Sequence, residues 1–302
     1  MRAIRTLLTK SIDYAGLFPP AQLDMGTALE NYVRYSAGPS SWALGRFIVP
    51  VSRLAEFEAG LRRIAGRQVD APRRFAALLG TNVEADLQLL DAFGRRPINA
   101  GAIIDTVEVK ASSENGVGEI IRSVPSSFQT YIEIPIDRDS SGLVAAIGQG
   151  GRRAKVRTGG VTRDAFPQTG DLLRFLQVTA RLAVPFKATA GLHHPLRADY
   201  PLTYAADSPS GTMFGFLNLL LAVAFLRAGL EVAEVGRLLE EGEPDVLQAD
   251  ESGISWRNRR LDLKALSDGR RLGLISFGSC SFTEPIAELE SLHLLAPGVS
   301  QA

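Results

Sequence analysis

The chain has 302 residues, of which 45% are hydrophobic and 22% charged, the make-up of an ordinary folded protein. That composition excludes a disordered chain and a collagen-like repeat. A disulfide scaffold is excluded too, because Cys280 is the only cysteine. Lys+Arg and Asp+Glu both number 33. The basic excess of a dedicated nucleic-acid binder is therefore missing, and no nucleic-acid partner is expected.

The first residues, MRAIRTLLTK, are basic, but no apolar core of signal-peptide length follows them. Short apolar segments then alternate with longer helical patterns. The segments 10–14, 46–49, 74–79, 102–109, 130–134, 154–158, 185–189 and 272–277 read as strands. The stretches 52–64, 82–93, 140–149 and 171–182 between them read as amphipathic helices, the last opened by Asp171 as N-cap. Alternation of this kind predicts βα units and a parallel sheet, buried on both faces. Eight such strands predict a closed α/β barrel, the (β/α)8 or TIM-barrel fold, as one domain over 1–302. No G-x-G-x-x-G follows the first strand, so a dinucleotide fold has no support.

One interval is too long for a single βα unit. Between the seventh and eighth strands, a segment at about 197–271 reads as an insertion. It holds a loop (197–212), an apolar helix (213–226), a second helix (231–241) and a hairpin around Glu251-Ser252-Gly253. The apolar run is shorter than the roughly 20 residues that span a bilayer, and Asn218 interrupts it. It reads as a buried helix of a cytoplasmic protein, with no membrane partner. Loops that follow barrel strands lie on the catalytic face, so the insertion is a candidate lid. The alternatives are extra packing or a homo-oligomer contact.

The basic residues are strikingly unequal in type: only Lys10, Lys110, Lys155, Lys187 and Lys264 are lysines, and the rest of the 33 are arginines. In Arg153-Ala-Lys155-Val-Arg157-Thr158-Gly159-Gly160, alternation puts Lys155 and Arg157 on one strand face. In Pro185-Phe-Lys187-Ala-Thr189-Ala-Gly191, it does the same for Lys187 and Thr189. Both lysines point inward just before a small-residue turn. They sit on neighbouring strands, about 4.8 Å apart. A lysine with the usual pKa near 10.4 is almost wholly protonated at neutral pH. Burial and a nearby cation favour the neutral amine that attacks a carbonyl. The pair therefore points to Schiff-base chemistry, with ion pairing to an inward carboxylate as the rival reading. Asp105 and Glu133, each within an apolar strand, are the candidate carboxylates and proton carriers. The small residues at Gly278 and Ser279, before a helix at 283–294, could bind an anion. His193 and His194 with a carboxylate would be the ligands of a metal-assisted lyase or isomerase, although no H-x-x-x-H or Cys spacing accompanies them. Cys280 has no obvious histidine partner in sequence and reads as a small buried residue.

These motifs resemble deoxyribose-phosphate aldolase, a class I aldolase with a (β/α)8 barrel. Ala154-Lys155-Val-Arg-Thr-Gly159 is similar to the family's F-I-K-T-S-T-G. Pro185-Phe-Lys187-Ala-Thr-Ala-Gly191 is similar to G-F-K-P-A-G-G, and Ser276-Phe-Gly-Ser-Cys-Ser281 to R-F-G-A-S-S. Shorter likenesses lie at Ile103-Ile-Asp105-Thr-Val, Tyr131-Ile-Glu133 and Ser11-Ile-Asp13. All are collinear over nearly the whole chain. The resemblance implies Lys155 as the Schiff-base lysine, Lys187 as the group that depresses its pKa, and Asp105 as proton shuttle. It places Gly159, Gly191, Gly278 and Ser279 near a substrate phosphate. Arg157, Ala190, His193-His194 and the long segment depart from the family pattern and imply a different substrate, one with a carboxylate for Arg157 to clamp. The expectation is a lysine-dependent lyase acting on a small oxo-acid or sugar phosphate. Arg157, Thr158, Gly159, Gly160, Thr189, Gly191, His193, Gly278 and Ser279 would bind it, with no cofactor and no metal. A non-catalytic small-molecule-binding barrel is the remaining alternative.

Overall fold

A computed structural model describes residues 2–64, 73–97 and 101–296. The apolar runs form a closed parallel barrel. Its strands are β1 (Ile12–Tyr14), β2 (Leu44–Pro50), β3 (Arg73–Leu78), β4 (Ala102–Lys110), β5 (Gln129–Glu133), β6 (Arg153–Arg157), β7 (Phe186–Thr189) and β13 (Leu274–Ser279). β13 lies between β7 and β1 and closes the ring. Each expected strand is present, shifted by at most two residues at an end.

Alternation dictates what each strand buries. Phe47 and Val49, Val107 and Val109, Ala154 and Val156, and Phe186 and Ala188 face the surrounding helices and are almost wholly buried. The residues between them face the barrel axis, and many of those are charged. Burial of each large apolar side chain on the outer face contributes about 1.5–3 kcal/mol. This offsets the cost of a polar interior.

The helices α2 (Met25–Ala37), α3 (Leu54–Ile64), α4 (Val83–Gly94), α5 (Glu114–Ser123), α6 (Ser141–Gln149) and α7 (Thr169–Arg181) follow strands β1 to β6 in turn. Asp24, Asn82 and Ser113 cap α2, α4 and α5 by accepting from backbone N–H groups of the first turn. Asp171 is not a cap. It lies in the first turn of α7, where its charge suits the helix dipole and its carboxylate pairs with Arg174.

The long interval resolves into several elements. The expected loop is a two-stranded antiparallel hairpin, β8 (Ala198–Pro201) and β9 (Ser210–Met213). The apolar run is α8 (Phe216–Arg227), buried from Phe216 through Phe225, as a helix apolar on all sides must be. After α9 (Val232–Leu239) comes an antiparallel sheet of β10 (Leu247–Ala249), β11 (Gly253–Trp256) and β12 (Arg259–Asp262). The turn at Glu251–Gly253 joins β10 to β11 as the expected hairpin, and β12 adds a third strand beside β11. The sheet is tied to α1 (Arg2–Leu8) by the Ala3 N–H, which donates to Asp250 O at 3.2 Å. Then α10 (Leu263–Leu272) returns the chain to β13, and α11 (Thr283–Ser291) follows. Among the described residues, no helix is long and apolar enough to cross a membrane.

Candidate active site

A cavity of about 650 Å³ opens at the ends of the barrel strands, the face on which TIM-barrel enzymes carry their active sites. Lys155 and Lys187 both line it. Their Cα positions are in register on β6 and β7, as the matched sequence spacing requires. They do not meet directly. Glu108 of β4 lies between them, with one oxygen 2.8 Å from Lys155 Nζ and the other 2.5 Å from Lys187 Nζ. The opposite side of Lys187 is held by Asp13 of β1 at 2.6 Å, and the opposite side of Lys155 by Glu133 of β5 at 2.8 Å. Lys110 lies 3.4 Å from the other Glu133 oxygen. The ion pairs therefore form one chain across the barrel interior, linking Asp13, Lys187, Glu108, Lys155, Glu133 and Lys110 in that order.

Lys187, Glu108, Lys155 and Glu133 each have two oppositely charged partners, and Asp13 has Lys187 on one oxygen and the Arg46 backbone N–H on the other at 2.6 Å, which is the condition for burying ions at tolerable cost. Burial alone would raise Glu108, but the ammonium groups of Lys155 and Lys187 outweigh it and pull the carboxyl down to about 2. Burial would lower Lys187, but Asp13 and Glu108 outweigh it and hold this lysine above the ordinary range. Burial also opposes ionisation of Glu133, and Lys155, Lys110 and Arg157 together reverse that and lower it. Lys187 is thus a fixed cation, compensated by two carboxylates. The two lysines come together as the sequence suggests, with a shared carboxylate interposed.

Asp105 is not the carboxylate that meets the lysines. The β3–β4 register skips it, passing from Phe75↔Ile104 to Ala76↔Thr106, a bulge of one residue. Its carboxylate accepts from Arg46 Nε at 2.7 Å and pairs with Arg74. Both arginines precede the cavity-lining residues Ile48 and Leu78 on their strands, so Asp105 sits nearer the strand beginnings. Burial raises its pKa, and Arg46 and Arg74 lower it further than burial raises it. Beyond the bulge, Glu108 takes the inward face, flanked by outward Val107 and Val109. That valine–glutamate–valine alternation is the signal that identifies it, and it matches the setting of Lys155 between Ala154 and Val156. Asp13, between Ile12 and Tyr14, carries the same signal.

The predicted binding residues divide in two. Arg157, Gly160, Thr189, Gly191, His193 and Gly278 line the cavity, together with His194, Cys280 and Glu284. Thr158, Gly159 and Ser279 shape its wall from behind. Thr158 Oγ1 donates to Ala190 O at 2.7 Å, which staples the β6 and β7 loops together. Gly159 must be glycine for the same approach, since a Cβ there would lie 2.9 Å from Gly191 Cα, and Gly191 itself has φ +73. Ser279 Oγ lies 3.2 Å from His193 Nδ1.

Cys280 does have a histidine neighbour, supplied by the fold: its Sγ is 3.7 Å from His193 Nδ1. Burial, helped by His194, drops the His193 imidazole to about 4, so it is neutral at pH 7. Burial pushes the Cys280 thiol up to about 11. A neutral imidazole beside a protonated thiol is not an activated cysteine nucleophile. His194 turns away, with Nδ1 2.6 Å from Glu288 on α11 and its ring stacked on Tyr200. Among the described residues, no group of three or more His, Cys, Asp or Glu side chains is placed to hold a metal ion, so the metal-assisted alternative finds no ligand set there. The hairpin between β8 and β9 reaches over the cavity, where Leu202, Thr203, Tyr204 and Met213 form part of its wall. Comparison with protein-family models, curated proteins and solved structures finds no match for this chain.

Proposed function

We propose that this barrel is a Schiff-base-forming lyase of the class I aldolase type, related to deoxyribose-phosphate aldolase. Lys155 is the amine nucleophile, and the substrate is a small oxo-acid or sugar phosphate. The observation that carries the reading is the pair of in-register lysines sharing Glu108 at the wall of an open cavity. The two lysines have different roles. Lys187 is enclosed by Asp13 and Glu108 and keeps its proton, so it acts as a fixed charge. Lys155 has Glu133 and Glu108 at hydrogen-bond distance. Either carboxylate could accept the proton that must leave before the nitrogen attacks a carbonyl carbon. Once Lys155 is neutral, the Lys187 ammonium favours keeping it so. After imine formation, Glu133 or Glu108 is within reach to relay protons during carbon–carbon cleavage and imine hydrolysis.

The test is reductive trapping. Folded protein is mixed with a panel of aldehydes, oxo-acids and sugar phosphates and treated with borohydride, then analysed by intact mass and peptide mapping. An adduct on Lys155, absent from Lys155→Met, is the expected result. An adduct on Lys187 would reverse the roles. The complete pairing of both lysines favours one second reading, a binding barrel in which the charges are structural. A panel that leaves no adduct on either lysine would favour it.

A further inference from the structure

The cavity has two chemically different sides. One is the chain of alternating charges. The other is formed by the hairpin between β8 and β9, the end of β13 and the start of α11, and it presents Tyr204, His193, Cys280 and Glu284. Tyr204 Oη donates to Glu284 Oε2 at 2.9 Å and lies 3.6 Å from Cys280 Sγ. His193 is uncharged at neutral pH, burial keeps the Cys280 thiol protonated, and the half-exposed Tyr204 phenol beside Glu284 keeps its proton as an ordinary tyrosine does. The Glu284 carboxylate is the one formal charge among these four groups. A phosphate reaching this side would meet an anion and no cation, although it is the end of β13 where a sugar phosphate would be expected to bind.

The cations of the cavity are elsewhere. Lys110, Lys155 and Lys187 are each engaged with carboxylates. Among the described lining residues, Arg157 is the cation without an ion pair. It is the last residue of β6, two positions beyond Lys155 and on the same strand face. Its planar fork suits a carboxylate held beside whatever is bonded to Lys155.

We infer that the carbonyl substrate is a 2-oxo acid whose carboxylate is taken by Arg157, with an uncharged remainder lying against Tyr204, His193 and Cys280. Phosphorylated carbonyl compounds are disfavoured. This inference rests on the Schiff-base reading and narrows it. Lys155 gives its ammonium proton to Glu133, its nitrogen lone pair bonds the oxo carbon, and the oxo oxygen departs as water with the two protons left on that nitrogen. Only a reductant added in the test changes the oxidation state: Glu133 returns its proton to the imine nitrogen, and the reductant's hydride adds to the carbon to give a stable secondary amine.

The experiment compares three ketones, pyruvate, hydroxyacetone and dihydroxyacetone phosphate, by the concentration that half-labels Lys155 under cyanoborohydride. A charge-assisted contact from Arg157 corresponds to roughly a 10-fold or greater advantage for pyruvate. In Arg157→Gln, checked for folding by circular dichroism, the pyruvate-to-hydroxyacetone advantage should fall to within about threefold, most of that contact being lost. Labelling of Lys155 by dihydroxyacetone phosphate or hydroxyacetone as readily as by pyruvate would overturn the inference and leave the Schiff-base reading standing. So would an advantage for pyruvate that survives in Arg157→Gln. No labelling of Lys155 by any of the ketones would overturn both.

Discussion

Glu108 serves two ammonium groups at once, so the interior charges form one unit. Its identity was legible in principle: Val107-Glu108-Val109 alternates like the lysine strands. Asp105 drew attention instead because it stands deeper in an apolar run, and a bulge, which changes which residues face inward, leaves no clear mark in a single sequence. At the same scale, His193 shows how burial sets a charge state. Its imidazole titrates near 4 in the folded protein, against the usual 6.5. The unfolded chain therefore binds the proton first, and stability falls as pH drops from 6.5 toward 4. A shift of that size corresponds to about 3 kcal/mol across the window. Urea midpoints measured at pH 7 and near pH 4 should show that loss in the wild type and a clearly smaller one in His193→Gln. Equal losses in both proteins would mean that His193 is not held neutral by the fold.

The strands and the amphipathic helices between them follow from period and composition, because both are set locally. The elements of the long interval are harder. α8 is apolar on all sides, which announces burial but not location. Its one polar residue is the informative one. Asn218 interrupts the run in sequence and is wholly buried. Its Nδ2 donates to Leu238 O at 2.7 Å and Glu241 O at 2.8 Å, and its Oδ1 accepts from Arg197 N at 2.9 Å. One amide thus ties α8 to the end of α9 and to the start of the hairpin that walls the cavity. Asn218→Leu keeps the size and the apolar face but strands those backbone groups. The expected cost is about 2–4 kcal/mol, read from chemical denaturation. Loss below about 1 kcal/mol would show that water or a backbone shift replaces the amide. The hairpin itself has little local signature. Ala198–Pro201 and Ser210–Met213 pair with each other and are mostly exposed, so no apolar alternation marks them.

At the scale of the whole molecule, the site exists only when the ring is closed. Asp13 and Lys187 are 174 residues apart in sequence, and β13 must enter between β1 and β7 before the wall behind them is complete. The long interval is built into the same ring. Leu274 and Phe277 of β13 belong to the same buried core as α8, and Phe216 stacks on Phe277 at 5.0 Å. On the far side, Trp256 donates to Glu241 and its sheet is hydrogen-bonded to α1. From these ties the inserted elements are expected to melt with the barrel as one cooperative unit. The two tryptophans, Trp42 just ahead of β2 and Trp256 on β11, report on the two parts separately. Fluorescence of Trp42→Phe then follows the inserted sheet and that of Trp256→Phe follows the barrel. With each trace normalised to the far-ultraviolet circular dichroism of the same variant, fluorescence and dichroism should share one urea midpoint in both proteins. An earlier fluorescence transition confined to Trp42→Phe would mean that the inserted sheet opens on its own.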